Sequence, residues 1–223
     1  MISTIIPIFN AEKYLGAAID TICSQDYSPM EIIAVDDGST DNSDKVIQKY
    51  SDIIIYKKQE NRGAAAARNT GILMAKGVLL AFLDADDLWV GNKLTLQYKI
   101  LETHSDIDMV FGTTEQFISP DVEAESGKNI LREELKKMPG YLMGSMLIKK
   151  ESFLKVGLLR EDLQLAEFID WFERAKEAGL KYKMLPDTVM RRRIHKTNQG
   201  ITKRHHMKDY LKVLKASMDR KKR

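Results

Sequence analysis

The sequence predicts an α/β fold with a largely parallel, doubly wound sheet, and two observations support this prediction. Segments typical of strands and of helices alternate four times in fewer than about ninety residues, which is the pattern of βαβ units. The strand segments are short apolar runs, as expected for strands that are covered by helices on both faces. The chain of 223 residues is long enough to bury a core of this kind.

The first half of the chain supplies the alternating elements. Each predicted strand is apolar and stops at a polar cluster, whereas each predicted helix has apolar residues at helical spacing or a helix-forming composition. The predicted strands are Ile2–Ile8, Glu31–Val35, Ile53–Tyr56 and Val78–Leu83, and the predicted helices are residues 11–25, 40–50 and Ala64–Ala75.

The pattern is less regular after residue 92. Helices are predicted at Lys93–His104 and Ala166–Ala178, and strands at Asp108–Gly112 and Tyr141–Ile148. Residues 115–137 are polar, charged and poorly periodic, which favours a mobile loop over a site. No internal repeat or low-complexity linker divides the sequence, so we predict one domain.

The composition is that of a soluble globular protein. Hydrophobic residues make up 43% and charged residues 30%, and no run approaches the ~18 apolar residues of a membrane span. The first ten residues lack the basic start and the long apolar stretch of a signal peptide. Cys23 is the one cysteine, which excludes an internal disulfide and a cysteine-built metal site. We therefore expect a cytoplasmic protein.

The formal net charge of +3 conceals a basic tail. From Arg191 onward there are thirteen Lys/Arg and two Asp/Glu, while the preceding part is acidic overall. Residues 203–223 are predicted to form a basic amphipathic helix that packs its apolar side on the body or on a partner. That side consists of Tyr210, Leu211, Leu214 and Met218. The basic side is interpreted either as a solvated face or as a peripheral contact with an anionic membrane or another anionic partner.

Polar clusters follow three predicted strands, at the edge where open α/β sheets bind ligands. They are Asn10, Asp36–Ser39 and Asp84–Asp87. The three carboxylates of the last cluster repel one another unless a cation lies among them, and oxygen ligands suit Mg²⁺ or Mn²⁺. A helix-capping turn explains one such cluster alone, but three clusters at three strand ends favour a site.

The segment after the third strand adds a second signal. Arg62 and Arg68 flank a run of small residues, which allows a helix to pack closely on the sheet while the arginines face a phosphate or a base. The glycine motifs of phosphate loops and dinucleotide-binding folds are absent, as are the zinc-protease and serine-hydrolase motifs. Kinase, GTPase, classical dehydrogenase and hydrolase functions therefore lose their main support.

Four motifs together resemble family 2 glycosyltransferases, which have the GT-A fold with a Rossmann-like, mostly parallel central sheet flanked by helices. The motifs are Ile5–Asn10 (IIPIFN), Val35–Asp41 (VDDGSTD), Asn61–Asn69 (NRGAAAARN) and Phe82–Asp87 (FLDADD). Their order, spacing and strand context match over residues 1–112, and a weaker match continues from 139 to about 199. The resemblance implies inverting transfer of a sugar from a nucleotide-diphospho-sugar, most often UDP-linked, with Mn²⁺ or Mg²⁺ as cofactor.

The resemblance also implies roles for individual residues. Substrate binding is expected for Pro7, Phe9, Asn10, Asp37, Arg62, Arg68, Asp84, Arg193 and His195, and metal binding for Asp86 and Asp87. Pro7 and Phe9 are expected along the nucleobase, and Asp37 and Arg62 at its edge. His195 is expected to approach the diphosphate or the metal, although it is also explained as a surface histidine in a basic run.

The expected catalytic base is where the sequence departs from the family pattern. That pattern has Glu-Asp on the loop entering a helix, but this chain has Glu167-Phe168. Glu167 and Asp170 are three residues apart, so both reach one site if they share the first helical turn. We predict that Glu167 is the base and that Asp170 orients the acceptor or the helix. Both carboxylates are alternatively explained by a favourable interaction with the helix N-terminus.

The resemblance divides a single domain, residues 1–202, into a nucleotide-sugar-binding half (1–112) and an acceptor-binding half (113–202), followed by the tail. The expected partners are a nucleotide-sugar and a saccharide, lipid-linked glycan or peptide acceptor, with no nucleic acid. Two alternatives stay open: a protein that binds the donor without turnover, and a nucleotidyltransferase that makes sugar nucleotides. The second is disfavoured because the loop after the first strand contains no glycine.

Overall fold

A computed structural model of the chain describes residues 1–120, 122, 137–198, 202 and 206–221. Its strands are β1 (Ile2–Ile8), β2 (Met30–Asp36), β3 (Ile54–Lys58), β4 (Leu79–Phe82), β5 (Leu88–Trp89), β6 (Met109–Ile118), β7 (Met138–Pro139), β8 (Leu147–Lys149) and β9 (Tyr182–Ile194). Its helices are α1 (Leu15–Cys23), α2 (Ser43–Gln48), α3 (Ala64–Met74), α4 (Lys93–Thr103), α5 (Lys150–Val156), α6 (Glu167–Glu177) and α7 (Lys208–Lys221), and a 3₁₀ turn spans Met143–Ser145.

The strands of the first half form a parallel sheet in the order β3-β2-β1-β4. Ile5 of β1 lies opposite Ile33 of β2 and Phe82 of β4, so the carboxyl ends of these strands share one edge. The side chains of the central strands are buried on both faces of the sheet, as expected for parallel strands covered by helices. The predicted fold class is confirmed.

The second half of the sheet is mixed, which the sequence analysis did not predict. β8 runs antiparallel to β4 and β6, β6 is parallel to β9, and both β5 and β7 pair in antiparallel fashion. The thirteen-residue strand β9 escaped prediction because Pro186 and several charged residues interrupt its apolar alternation. β9 matters for function because its carboxyl end reaches the same edge as the parallel strands.

The strand predicted at Tyr141–Ile148 is wrong except for its last two residues. The chain forms the 3₁₀ turn there, and β8 begins only at Leu147. Close packing requires this irregular backbone: a Cβ on Gly144 would lie 2.5 Å from the Met190 sulfur. An apolar run alone does not distinguish such a buried turn from a strand.

Two hydrophobic layers pack on opposite faces of the sheet. One contains residues of α1 and α4, and the other contains residues of α3, α5 and α6. In the second layer the rings of Phe153 and Trp171 stack with their centroids 4.3 Å apart. Both layers hold the sheet rigidly beneath the loops at its carboxyl edge.

The face by which the C-terminal helix packs differs from the prediction. Tyr210, Leu211, Leu214 and Met218 were expected to pack on the body or on a partner, but none of the four side chains is buried against the body. The buried positions are instead Asp209, Val213 and Ser217. Val213 packs with Leu163 and Ala166, and polar contacts of this helix supply the rest of its docking. Hydrophobicity alone did not identify the face of α7 that packs on the body, because ion pairs and hydrogen bonds make most of the contacts of that face.

Part of the predicted mobile loop is ordinary strand, since β6 continues to Ile118. Residues 121 and 123–136 of that loop, and residues 203–205 and 222–223 of the predicted tail helix, lie outside the described residues. Within the part of the chain that the structure describes, no helix combines the length and the apolar character needed to cross a membrane.

Candidate functional site

The loops after β1 and β2 are hydrogen-bonded to each other at the carboxyl edge of the sheet. Asn10 has φ 49°, and its Oδ1 accepts a hydrogen bond from the Thr40 backbone N–H (2.8 Å). Its own N–H donates to Ser39 Oγ (3.0 Å). Asparagine tolerates this left-handed position better than most residues because its short side chain bonds locally. Asn10 therefore fixes the two loops relative to each other.

Asp37 holds the loop that leads into α3. Its Oδ1 accepts hydrogen bonds from Gln59 Nε2 (2.8 Å) and the Arg62 N–H (3.0 Å), and its Oδ2 accepts one from the Gly63 N–H (2.7 Å). Gly63 has φ 94°, a conformation that favours glycine, and it caps the start of α3. Asp37 thus positions Arg62 through the backbone, while the Arg62 side chain stays 56% exposed.

Asp36 lies beside this contact and received no role in the sequence analysis. Its Oδ1 accepts a hydrogen bond from the Ser39 N–H (2.7 Å), and its Oδ2 accepts one from the Tyr56 hydroxyl (2.7 Å). Burial opposes ionisation, but these hydrogen bonds and the nearby Lys58 ammonium outweigh it and lower the pKa of Asp36. The ionised carboxylate therefore stabilises the turn that carries Asp37.

Phe9 and Pro7, both expected along a nucleobase, lie at the end of β1. Pro7 pairs in register with Val35 of β2. Phe9 follows the strand and is 52% exposed, so an aromatic face is open to solvent beside the loop that carries Asn10. An exposed ring at the carboxyl edge of a sheet is suited to stacking against a planar ligand.

Arg68 connects two carboxylates that come from distant parts of the sequence. Its guanidinium donates to Asp84 Oδ1 (2.6 Å) and to Glu167 Oε1 (2.8 Å). Burial opposes the charged form of Arg68, but the two carboxylates outweigh it and raise its pKa. The arginine, on α3, therefore joins the loop after β4 to the N-terminus of α6. Hydrogen bonding between ionised partners makes both contacts strong.

The side chains of Asp86 and His195 are in direct contact. His195 Nε2 lies 2.8 Å from Asp86 Oδ2, and His195 Nδ1 lies 2.8 Å from Thr197 Oγ1. Asn198 donates to the Arg193 carbonyl (3.1 Å) and accepts from the His195 N–H (2.5 Å). Because the imidazole is buried and both of its nitrogens have hydrogen-bonding partners, His195 is not a surface histidine and lies beside Asp86.

Arg193 is held between two aromatic rings. Its guanidinium carbon lies 4.6 Å from the centroid of Tyr14 and 4.7 Å from that of Phe117. Its Nε donates to the Asp86 carbonyl (2.9 Å), so Arg193 and His195 both contact the loop after β4. Tyr14 also packs on His195, with ring centroids 4.9 Å apart. These contacts leave the guanidinium little rotational freedom.

Asp87 is buried beneath this layer. Its Oδ1 accepts a hydrogen bond from the Arg193 N–H (2.8 Å). Burial raises the pKa of Asp87 well above its ordinary value, and the neighbouring charges of Asp86 and Asp84 raise it further. Positive charge brought to this cluster would therefore be stabilised.

Glu167 and Asp170 both lie in the first turn of α6 but have different partners. Glu167 contacts Arg68, whereas the fully buried Asp170 accepts a hydrogen bond from Arg174 Nε (2.9 Å) and lies near Arg160 and Arg220. Glu167 is thus brought to the site with Asp84, and Asp170 is held on the side of the helix that faces α7. Phe168 packs with other aromatic residues.

The chemistry of this group of side chains fits a divalent cation. No cluster of three or more His, Cys, Asp or Glu among the described residues is arranged to hold one by protein ligands alone. A hard cation, however, commonly takes one or two carboxylates together with substrate phosphate oxygens. Asp86 supplies such a carboxylate, and the adjacent imidazole of His195 is a ligand type for transition-metal ions.

Several residues of the site were not identified from the sequence. Tyr14 and Phe117 cover Arg193, and Thr197 contacts His195 Nδ1. Phe117 and Arg193 meet only because β6 and β9 run side by side in register. That pairing has no local signal, since β9 itself was not predicted.

Comparison with known proteins gives consistent results. The sequence profile described as "Glycosyl transferase family 2" matches residues 3–157. An uncharacterized glycosyltransferase of Rickettsia typhi is 28% identical over 222 residues, which cover 94% of this chain and 69% of the relative. The Escherichia coli protein WfgD, named a UDP-Glc:alpha-D-GlcNAc-diphosphoundecaprenol beta-1,3-glucosyltransferase, is 36% identical over 117 residues, which cover 52% of this chain and 46% of that protein.

Two solved structures share the fold. Staphylococcus aureus TarS in complex with UDP has a TM-score of 0.74 at 18% identity and covers 97% of this chain and 64% of its own. The mannosyltransferase PcManGT from Pyrobaculum calidifontis, in complex with GDP-Man and Mn²⁺, has a TM-score of 0.73 at 22% identity and covers 96% of this chain. The chain spans 64% of the solved PcManGT chain, 64% of the solved TarS fragment 1–349 and 38% of a Rickettsia felis relative.

Proposed function

The chain belongs to glycosyl transferase family 2, as its motifs predict, and from this premise we propose that it transfers a sugar from a nucleotide-diphospho-sugar to an acceptor hydroxyl, with inversion and with a divalent cation. Membership of the family makes the chain a glycosyltransferase. We propose the identity of the donor and of the cation, the stereochemistry of transfer and the role of each residue in turn.

One observation carries the proposal: Arg68 bridges Asp84 and Glu167 while His195 contacts Asp86. In this proposal, Asp86 of the loop after β4 would hold a cation together with His195, and Arg68 would link the same loop to Glu167, the proposed base. An inverting transferase needs both, because charge develops on the leaving diphosphate while the acceptor loses a proton on the opposite face of the sugar.

The donor is proposed to be UDP-linked. The exposed ring of Phe9 and the outward side chain of Arg62 lie on loops that Asn10 and Asp37 hold in place, which suits contact with a base. The name of the Escherichia coli relative specifies UDP-Glc, and TarS was solved with UDP. PcManGT was solved with GDP-Man, so a guanine donor is the competing outcome.

The cation is proposed to be held by Asp86 and His195, with Asp87 supporting them from below and Asp84 near the ribose. When bound, the cation would neutralise negative charge on the diphosphate. Arg193 would contribute a fixed positive charge beside the same loop, since its Nε is bonded to the Asp86 carbonyl. The imidazole ligand favours Mn²⁺ over Mg²⁺.

Glu167 is proposed to be the base. Its Oε1 accepts from Arg68, so Oε2 is the oxygen that would take the proton of an acceptor hydroxyl. Arg68 would keep the carboxylate ionised and fix its direction. Asp170 is proposed to hold α6 through its arginine partners instead of touching the acceptor.

The acceptor is proposed to be a saccharide carried on a lipid diphosphate. The name of the Escherichia coli relative specifies such an acceptor, and a free saccharide and a peptide are the competing acceptors. The acceptor half corresponds to residues 113–202 of the single domain proposed for 1–202.

The test measures nucleotide release from UDP-linked and GDP-linked sugars, with Mn²⁺, with Mg²⁺ and with EDTA. Mn²⁺-dependent UDP release that increases with a lipid-linked saccharide, and a product of inverted anomeric configuration by NMR, is the expected result. Donor binding without release under all conditions would indicate a binding protein. Formation of sugar nucleotide and pyrophosphate from a sugar phosphate and UTP would indicate a nucleotidyltransferase.

A further inference from the structure

The C-terminal helix α7 carries an apolar strip that faces solvent. The strip consists of Tyr210, Leu211, Leu214 and Met218, with Met207 just before the helix, and all five side chains are exposed. At 3.6 residues per turn, the four helical positions fall within an arc of about 100°, so they form one continuous face. Leu211 is 68% exposed and Leu214 58%, which is unusual for neighbouring leucines on one helix face.

A neighbouring side of α7, which carries the buried residues Asp209, Val213 and Ser217, holds the helix to the body. Val213 packs with Leu163 and Ala166, and Asp209 Oδ2 accepts hydrogen bonds from the backbone N–H groups of Gln164 (2.9 Å) and Leu165 (3.3 Å). Lys212 and these N–H groups lower the pKa of Asp209 to about 2. The docked face is therefore satisfied, and the apolar strip is not needed to hold the helix in place.

More contacts near the end of α7 fix its orientation. Ser217 donates to Glu177 Oε1 (2.9 Å), and Arg220 pairs with the same carboxylate. Arg220 also lies 3.9 Å from Asp170 of α6. Because both ends of the helix are bonded to the body, the strip is presented outward in a fixed direction.

Positive charge borders the strip. Lys208 and Lys215 are exposed on the side of α7 next to Leu211, and Lys212 is 2.7 Å from Asp209. From Lys203 to Arg223 the sequence has nine Lys/Arg against two Asp/Glu. An exposed apolar face beside a lysine-rich face is the pattern of helices that lie in a membrane interface.

We propose that the apolar strip of α7 inserts into the surface of an anionic lipid membrane while the adjacent lysines contact the lipid headgroups. This goes beyond the proposed function and does not depend on it. A second copy of the chain fits less well, because pairing two strips would bring two strongly basic tails together. Anionic headgroups, in contrast, match the charge that borders the strip.

The placement also bears on the site. Asp209 holds the loop of Gln164 and Leu165, and that loop leads directly into Glu167. A membrane bound to the outer face of α7 would therefore lie on the side of the molecule that carries α6. Contact through α7 would set the orientation of the acceptor half relative to the lipid surface.

The experiment is sedimentation of the full chain with vesicles of phosphatidylcholine, with and without phosphatidylglycerol, at low and high salt. Binding is expected to the anionic vesicles at low salt and to weaken with salt. Leu211→Glu and Leu214→Glu, separately and together, are expected to reduce the partition coefficient about tenfold or more for each substitution, since each removes a leucine from the inserted face. Lys208→Glu/Lys215→Glu is expected to reduce binding to anionic vesicles alone.

The matched control is Leu73→Glu. Leu73 is on α3 and is 66% exposed, close to the exposure of Leu211, but it lies outside the strip. It is expected to leave vesicle binding unchanged. Failure of the unaltered chain to bind anionic vesicles, or equal loss with Leu73→Glu, would overturn the proposal. Self-association that Leu211→Glu/Leu214→Glu abolishes, without vesicle binding, would assign the strip to a second copy and overturn it as well.

Discussion

Asp84 and Glu167 share one guanidinium: Arg68 donates to Asp84 at 2.6 Å and to Glu167 at 2.8 Å. Asp84 lies in the loop after β4, and Glu167 is the first residue of α6. The contact therefore connects the proposed donor side of the site to the proposed base. Any change in the position of Arg68 is expected to act on both.

Arg68→Lys is expected to reduce activity more than it reduces stability. A lysine keeps the positive charge but cannot hold two carboxylates with a planar fork, so Glu167 loses its fixed direction. Arg68→Met removes the charge as well and is expected to lower the free energy of unfolding by about 1–3 kcal/mol, because two carboxylates lose a charged partner. Urea unfolding and steady-state kinetics on both variants measure this. Equal activity of Arg68→Lys and the unaltered chain would contradict the bridging role.

Glu167→Gln is expected to lower kcat ~10²–10⁴-fold, with little change in the KM for the donor. Glutamine keeps the shape and a hydrogen-bond acceptor for Arg68 but cannot take up a proton. The measurement is the rate against pH with saturating donor. Asp170→Asn is the comparison, since Asp170 is buried among arginines and is expected to affect stability more than kcat. If Asp170→Asn lost activity and Glu167→Gln did not, the two roles would be reversed.

The sequence predicted that Glu167 and Asp170 lie on one helix and reach one site. The helix is confirmed, but the separate partners of the two carboxylates could not be predicted. Helical spacing shows that both lie in one turn, but not which arginines surround each carboxylate. Arg174 is four residues after Asp170 on the same helix, which is a local pattern, whereas Arg160 and Arg220 come from two other segments. The contacts with Arg160 and Arg220 depend on how the helices dock and have no local pattern.

The parallel half of the sheet was predictable because its signals are local. Apolar runs that end in Asn10, Asp37 or Asp84 identify both a strand and the edge where it stops. The mixed half of the sheet was not predictable. Apolar and polar residues alternate poorly along β9, and the 3₁₀ turn at Met143–Ser145 has the apolar composition of a strand. His195 could be noted from its basic surroundings, but its contact with Asp86 requires the unpredicted strand β9 to end beside the loop after β4.

Asp86→Asn is expected to weaken Mn²⁺-dependent UDP binding by more than about 100-fold, because it removes the carboxylate proposed to hold the cation. His195→Ala is expected to weaken it about 10–100-fold. Isothermal titration with UDP, in Mn²⁺ and in EDTA, checks both. Asp52→Asn removes a charge at an exposed position and serves as the control. UDP affinity that is equal in Mn²⁺ and EDTA would exclude this cation role.

Lys93 provides a prediction about pH that is independent of the site. It lies on α4 with its side chain fully buried, and its Nζ contacts Gln97 Oε1 (2.6 Å), the Met146 carbonyl (3.2 Å) and the Trp89 ring (4.5 Å to the centroid). Burial lowers the pKa of Lys93 well below its ordinary value. No carboxylate among the described residues is paired with it, so the cost of burying the charge is not offset by an opposite charge.

The direction of the pH effect follows from proton binding. Between the lowered pKa of the folded chain and the ordinary lysine value of about 10.4, the unfolded chain binds more protons than the folded one. The free energy of unfolding is therefore expected to rise with pH across this window, by up to about 1.4 kcal/mol per pH unit from this group. Lys93→Met removes the contribution, so the free energy of unfolding of the unaltered chain minus that of the variant should increase from neutral pH towards pH of about 10. Urea unfolding at several pH values measures it, with Lys99→Met, an exposed lysine on the same helix, as control. Parallel pH profiles for the unaltered chain and Lys93→Met would show that Lys93 remains charged in the core.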